Sequence, residues 1–226
     1  MLKLFQKIET AVSYILSNSI NEKKFLKKKL NKKEIIVIDI GANVGSYLDF
    51  IIKNFKYKKI YAFEPSTKAY RQLKNKFNSK NIILENIALS NKKTKRKFYE
   101  YKLTSQSSFY KITSKKNPFK NLNNIYKVKT LKLDEYLNLK EKKIDICKID
   151  IQGEELNVLM GMQKYLKKKK IKLIKVEITI RNDYDNNKNQ FVEIINFLKK
   201  YNYNLVTISK IKFSQNEIMF LDAYFQ

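Results

Sequence analysis

The sequence contains no histidine, no tryptophan and a single cysteine among its 226 residues. The absence of histidine excludes the commonest general base, the histidine-activated nucleophiles and the usual zinc sites, so no metal site is predicted. Cys147 alone cannot form an intrachain disulfide, which favours a cytoplasmic location. There is also no signal-peptide core, and no apolar run approaches the roughly 20 residues of a membrane span. Acid–base chemistry must therefore use a carboxylate, a lysine, a tyrosine or water.

Arginine is scarce although the net charge is +27: Arg71, Arg96 and Arg181 are the only three among 48 basic residues. Proteins that read nucleic acids use arginine for bidentate contacts to phosphates and bases. Asparagine, isoleucine and tyrosine are abundant as well, which indicates a compositional bias. We therefore predict a solvated lysine surface and no specific nucleic-acid partner, while contact with an anionic membrane or glycan stays open.

Glycine is also rare, and three of the four glycines, Gly41, Gly45 and Gly153, fall in predicted strand-to-helix turns. The first turn lies in EIIVIDIGANVG, residues 34–45. Its β-branched run predicts a strand buried on both faces, and residues 46–55 have the apolar spacing of a helix. A strand, a glycine turn and a helix form the first unit of a doubly wound α/β sheet, whose ligands bind at the carboxyl ends of the strands. Glycine there would let the backbone approach a ligand.

The residues around this turn favour a cationic ligand over a dinucleotide. The glycines are spaced G-x-x-x-G rather than G-x-G-x-x-G, and Asp39 stands just before them, where a carboxylate would repel phosphates. A nicotinamide oxidoreductase is therefore disfavoured. Glu64 follows the next predicted strand, residues 59–63, where an acidic side chain can bind ribose hydroxyls. Pro65 is predicted to begin the following helix.

Later segments extend this pattern to one α/β domain over residues 34–226. Residues 81–88 predict a third strand, and Asn86, Ile87 and Ala88 at its exit would lie beside a base. The polar loop 104–124, containing Ser107 and Ser108, is expected to form part of an acceptor pocket. The remaining strands are predicted at residues 95–101, 126–133, 145–151, 171–180, 203–209 and 217–224, with helices after Gln152 and at 191–198.

The first 33 residues are predicted to precede this domain as a separate segment. Apolar residues at helical spacing over 3–17 predict an amphipathic helix packed on the domain, with an interfacial membrane helix as the alternative. Residues 21–33 are interpreted as a lysine-rich connector.

Several motifs together resemble the FkbM-type methyltransferases, over about residues 37–221. They are VIDIGANVG at 37–45, AFEP at 62–65, NIALS at 86–90, the Ser107-Ser108 pair, VKTLKLD at 128–134, KIDIQGEE at 148–155 and KVEI at 175–178. The resemblance implies a class I methyltransferase, Rossmann-like α/β fold: a seven-stranded, mostly parallel sheet with helices on both faces and one antiparallel strand. It also implies methylation of a hydroxyl group on a sugar or glycan precursor, with S-adenosylmethionine as cofactor. The implied cofactor-binding residues are Asp39, Gly41, Ala42, Asn43, Val44, Gly45, Glu64, Pro65, Asn86, Ile87 and Ala88.

KIDIQGEE carries the candidate catalytic residues. Family members typically read K-I-D-V-E-G-x-E here, so Gln152 replaces a glutamate and removes one charge. Asp150 is the first candidate for the base that takes the proton of the acceptor hydroxyl, followed by Glu155 and Glu177. An RNA methyltransferase using the basic surface and a non-catalytic protein with a relic cofactor site remain alternatives.

Overall fold

The computed structural model describes residues 21–31, 34–114, 117–138, 141, 143–181, 183–185, 190–214 and 217–226. The helix predicted over residues 3–17 lies outside these ranges. Within them, no helix is both long enough and apolar enough to cross a membrane. The elements along the chain are α1 (Glu22–Leu30), β1 (Ile35–Ile40), α2 (Ser46–Asn54), β2 (Tyr57–Phe63), α3 (Thr67–Lys76), β3 (Ile82–Glu85), β4 (Ala88–Leu89), β5 (Thr94–Tyr101), β6 (Leu122–Leu131), α4 (Leu133–Leu137), β7 (Ile144–Ile149), α5 (Glu155–Met160), α6 (Gln163–Lys167), β8 (Ile171–Thr179), α7 (Phe191–Lys199), β9 (Leu205–Ser214) and β10 (Glu217–Phe225).

The segment predicted as a lysine-rich connector contains helix α1. Asn21 caps it, because its side chain accepts a hydrogen bond from the backbone N–H of Lys24. Leu26 and Leu30, one turn apart, are buried against the domain. The five lysines of this segment led to its prediction as a connector, whereas the two buried leucines make it part of the core.

Seven strands form one sheet in the order β3-β2-β1-β7-β8-β10-β9. β10 pairs antiparallel with both β8 and β9, whereas the other pairs are parallel. The predicted sheet with one antiparallel strand is therefore confirmed. The order changes direction between β1 and β7, where Asp39 lies beside Lys148. Ligands of such sheets bind at this point, outside the carboxyl ends of the strands.

Alternate residues of the central strands enter two hydrophobic clusters, one on each face of the sheet. Helices α1, α2 and α3 contribute leucines or isoleucines to one cluster, and α4, α5, α6 and α7 contribute to the other. The helices on both faces of the sheet bury both sides of the inner strands, as predicted from residues 35–38.

A second, three-stranded sheet, in the order β4-β6-β5, corrects the prediction for residues 81–88. β3 pairs with β2 in the large sheet, whereas β4 pairs with β6 in the small one. The chain passes from one sheet to the other at Asn86 and Ile87, and the apolar pattern of residues 81–88 does not indicate this change. Helix α3 also begins later than predicted, because Ser66 rather than Pro65 supplies its cap: the Ser66 hydroxyl accepts from the N–H of Ala69.

Candidate active site

The two glycines of the turn after β1 are required by the protein's own packing. Gly41 has a φ of +80°, and a Cβ there would collide with the backbone carbonyl of Asp150. Gly45 has a φ of +87°, and a Cβ there would collide with the ring of Phe77 and the side chain of Leu73. The two glycines thus have a packing role that the sequence did not indicate, and the predicted approach of their backbone to a ligand stays a prediction. They bring the turns after β1 and β7 together and seat α2 against α3.

Lys148 joins the carboxylates at the ends of β1 and β7. Its ammonium lies 3.2 Å from Asp39 Oδ1 and 3.2 Å from Asp150 Oδ2. Burial favours the neutral amine, but Asp150 and Asp39 outweigh it and raise the pKa of Lys148. Asp39 is completely buried, burial raises its pKa, and its Oδ2 has no hydrogen-bond donor among the described residues. Asp39 therefore lies behind the site and contacts it through Lys148, and its predicted role in cofactor binding stays a prediction.

Glu64, at the end of β2, is held by two backbone donors. Its Oε2 accepts from the N–H of Asn43 and its Oε1 from that of Ser66, both at 2.7 Å. Burial raises the pKa of Glu64 to about 7, although these two hydrogen bonds act to lower it. Asn86 donates to the carbonyls of Glu64 and Pro65, at 2.8 and 3.2 Å. The Asn86 side chain therefore positions the backbone after β2, and its predicted contact with a base stays a prediction.

A first cavity lies at the switch point of the sheet. Eight predicted residues line it: Gly41, Asn43, Glu64, Pro65, Ile87, Ala88, Ser107 and Asp150. Its other walls include Thr104, Ser105 and Phe109, which lie in the loop predicted to form part of an acceptor pocket, and Phe98 from β5, which the sequence did not indicate. The mostly apolar lining, with carboxylates at one side, fits a nucleoside that carries a positive charge. Val44, Gly45 and Asn86 are not among its lining residues.

A second cavity adjoins the first and shares Gly41, Asn43, Ser105 and Asp150 with it. It is lined by charged side chains and by two aromatic rings, Tyr47 and Phe50, which stack with centroids 5.9 Å apart. Its other walls include Glu22, Ala42, Lys148, Lys175, Glu177, Lys210 and Asp222. Lys175 is paired with Glu22 at 2.8 Å and with Asp222 at 3.0 Å.

Gln152 bridges two of the three predicted catalytic carboxylates. Its Nε2 donates to Asp150 Oδ1 at 3.2 Å and to Glu177 Oε1 at 2.8 Å. Its Oε1 accepts from the hydroxyl of Tyr184 at 3.2 Å. Burial opposes ionisation of Asp150, but Lys148 outweighs it and lowers the pKa of Asp150. Burial and the Asp150 charge raise the pKa of Glu177. The two shifts have opposite directions, so the ionised form is favoured at Asp150 and the protonated form at Glu177.

The structure does not bring Glu155 or Ser108 to either cavity. Glu155 is 3% exposed and accepts hydrogen bonds from the N–H groups of Ile151 and Gly153, so it holds the turn after β7. Ser108 is completely buried and donates to the carbonyl of Gln152 at 2.7 Å. Their positions argue against the predicted catalytic and substrate roles. Ser107 lines the first cavity, and the substrate role predicted for it stays a prediction.

Lys148, Lys175 and Asp222 are site residues that the sequence analysis did not single out. Each lies in a strand whose neighbouring residues are apolar and buried. A charged residue inside such a strand indicates a paired charge or a functional site, because burial of an unpaired charge is costly. Their partners were not predictable, since Lys148 and Asp39 are far apart in the sequence.

Comparison with known proteins identifies the family. Residues 39–205 match the family model described as the methyltransferase FkbM domain. No curated protein sequence matches the chain. Among solved structures, an FkbM methyltransferase from Methylobacillus flagellatus KT has 14% identity and a TM-score of 0.57, covering 86% of this chain. This chain spans only 44% of that protein's length.

Two further solved structures share the fold at similarly low identity. An rRNA methylase from Streptococcus thermophilus has 15% identity and a TM-score of 0.51, over 90% of this chain and 92% of its own. Fibrillarin from Aeropyrum pernix, solved with natively bound S-adenosyl-L-methionine, has 12% identity and a TM-score of 0.50, over 96% and 74%. These likenesses agree with the class I methyltransferase fold. Because the family model matches most of the sequence, the chain belongs to the FkbM-domain methyltransferase family.

Proposed function

We propose that this protein transfers a methyl group from S-adenosylmethionine to a hydroxyl group of a sugar or glycan precursor. The observation that carries the proposal is the position of Asp150, whose side chain lines both cavities. Methyl transfer needs the donor and the acceptor in contact at one point, and holding them there supplies much of the rate enhancement. Asp150 stands where an acceptor in the second cavity would meet a donor in the first.

The first cavity has the groups that this cofactor requires. Ile87, Ala88 and Phe98 offer apolar contact to the adenine, and Glu64 keeps lone pairs that can accept from ribose hydroxyls. When bound, S-adenosylmethionine supplies a methyl group activated by a positively charged sulfur. Asp150 and the Asp39–Lys148 pair keep this end of the cavity polar, and the carboxylates outnumber the lysine there. The site thus favours a cation over the phosphates of a dinucleotide.

The second cavity supports a polyhydroxylated acceptor. Carboxylates accept hydrogen bonds and cannot donate them when ionised, so Asp150 and Asp222 suit hydroxyl groups. The stacked rings of Tyr47 and Phe50 offer an apolar surface for the carbon face of a sugar ring. Cys147, the single cysteine, is completely buried in β7, which agrees with the cytoplasm as the proposed location.

Asp150 is the proposed base. Lys148 lowers its pKa, which favours the ionised form that can accept a proton, whereas burial and the Asp150 charge raise the pKa of Glu177 and favour its protonated form. A sugar hydroxyl is much less acidic than a carboxylic acid, so its proton moves to Asp150 only while the new carbon–oxygen bond forms. Lys148 and Gln152 hold the carboxylate in place from two sides, at 3.2 Å each.

A methyl-labelling experiment tests this proposal. The purified protein is incubated with S-adenosylmethionine carrying a tritiated methyl group and with separate glycan, glycolipid and RNA fractions of the host. We expect label in a carbohydrate fraction and turnover lowered about 10²–10⁴-fold in Asp150→Asn, the range for a lost general base. The matched control is Asp49→Asn on the surface of α2, which should keep full activity. Label only in RNA, or no calorimetric binding of S-adenosylhomocysteine, would overturn the proposal.

A further inference from the structure

We propose that the outer face of the β5–β6 ladder docks on an anionic membrane surface. The register pairs Lys95 with Lys129, Lys97 with Lys127 and Tyr99 with Ile125. Residues two apart in a strand point to the same side, so these six side chains share one face, named here the lysine face. The residues between them, such as Phe98 and Val128, are buried on the opposite side of the ladder.

The lysine face has charge that the protein does not neutralise. All four lysines are exposed, and in the described part of the chain none has a carboxylate within ion-pairing distance. Like charges directly opposite each other in a ladder are destabilising. An anionic partner would remove this repulsion.

The charge is also concentrated in this part of the chain. Residues 91–132 contain 13 basic side chains and one acidic side chain, Glu100. Glu100 is 4% exposed and is bound by Ser66 and Tyr126 on the inner side. Nearly half of the net charge of +27 thus lies in less than a fifth of the sequence. A uniform compositional bias would spread the lysines more evenly.

Apolar side chains at one end of this face distinguish a membrane from a nucleic acid. Ile125 is 45% exposed on the face, and Leu122, at the end of the ladder, is 39% exposed. Leu103 and Phe119, in the segment that connects β5 to β6, are 43% and 48% exposed. Apolar side chains flanked by lysines suit the boundary between headgroups and acyl chains.

Arginine, the residue favoured for nucleic-acid contacts, is absent from the lysine face. The neighbouring Arg96 is turned inward and pairs with the buried Glu154 at 2.6 Å. The face therefore combines point charges with exposed apolar groups, which matches an anionic bilayer better than an RNA strand.

Sedimentation with lipid vesicles tests this inference without an activity assay. We expect the protein to bind vesicles that contain phosphatidylglycerol and not vesicles of phosphatidylcholine alone. Each lysine near an anionic surface contributes about a fivefold gain in affinity, so the double variant Lys97→Gln, Lys127→Gln should bind about 30-fold more weakly. The control Lys53→Gln, Lys74→Gln, with the same change in net charge on exposed helix positions, should bind like the unchanged protein. Ile125→Thr removes an exposed apolar side chain but keeps a residue that favours strands. It should lower the part of the vesicle binding that persists at high salt, where the lysine contribution is screened.

Other results would overturn the inference. An equal loss of binding in the control pair would show a general charge effect with no defined surface. Equal binding to neutral vesicles would remove the electrostatic basis. RNA binding that depends on Lys97 and Lys127, measured by fluorescence anisotropy and stronger than vesicle binding, would make the partner a nucleic acid. Thermal unfolding of each variant verifies that the fold is intact.

Discussion

Gln152→Glu should move the acidic limb of the pH–rate profile to higher pH. The amide of Gln152 donates to Asp150 at 3.2 Å and to Glu177 at 2.8 Å. Glutamate has a similar shape but donates nothing when ionised, and it would place a third carboxylate against the other two. Both changes disfavour the ionised form of Asp150 and so raise its pKa.

The size of the shift follows from the lost hydrogen bond. A hydrogen bond to a charged group is worth about 1.5–3 kcal/mol. One pKa unit corresponds to about 1.4 kcal/mol, so the pKa of Asp150 should rise by about 1–2 units. The side chain of Asp150 is 29% exposed, and water will screen part of the added repulsion, so we take no further increase from it. The base works in its ionised form, so activity is lost as the pH falls through the pKa of Asp150. In the variant this loss should occur at a pH about 1–2 units higher than in the unchanged protein.

The measurement is kcat against pH, on the methylated product found by the labelling experiment. Gln152→Met is the matched control, since it removes the donor without adding a charge. It should produce a shift of about the same size in the same direction, because the magnitude above comes from the lost hydrogen bond alone. If the acidic limbs of both variants coincide with that of the unchanged protein, Gln152 does not tune the base and Asp150 is not the group that titrates.

Three other changes test separate parts of the structure. Burial raises the pKa of Glu64 from 4.5 to about 7, so its contribution to stability is present below pH 4.5 and is lost as the pH rises through 7. Glu64→Gln should therefore flatten the fall in unfolding free energy over that range in urea titrations, and an unchanged slope would contradict the pKa. Lys127→Glu places opposite charges across from Lys97 and should raise the unfolding free energy by about 0.2–1 kcal/mol, whereas a decrease would contradict the repulsion argument. Arg96→Leu removes the cation from the buried Glu154 and should cost about 1.5–3 kcal/mol in the same assay; no loss would mean that the remaining donors suffice.

The central unit of the fold was predictable from local sequence. A β-branched run before Asp39 predicts a buried strand, and the G-x-x-x-G spacing after it predicts a turn. Glu64 is recognisable because it directly follows the second predicted strand. The seven-stranded sheet with one antiparallel strand was implied by the resemblance to the FkbM-type methyltransferases. The segment at 81–88 was misread because an apolar run does not reveal which sheet it joins, and that depends on pairing with β6 much later in the chain.

The roles of the polar residues were much less predictable. Glu155, Ser108 and Asn86 belong to motifs of the family, yet all three use their side chains to hold backbone turns. A sequence motif records that a residue type is needed and does not distinguish a group that contacts ligand from one that shapes the turn. Distant contacts decide this, as between Lys148 and Asp39.

Glu177 provides a stricter test of the shared proton at the proposed base. Glu177→Gln removes the group whose pKa is raised but keeps a side chain that can donate to Asp150, so alone it should move the acidic limb little. In combination with Gln152→Glu it reduces three neighbouring carboxylates to two and should reverse part of the shift. The two substitutions must then be non-additive, as expected for residues in one hydrogen-bonded network. Strictly additive shifts in the double-mutant cycle would mean that Asp150 and Glu177 titrate independently, and that the amide of Gln152 does not couple them.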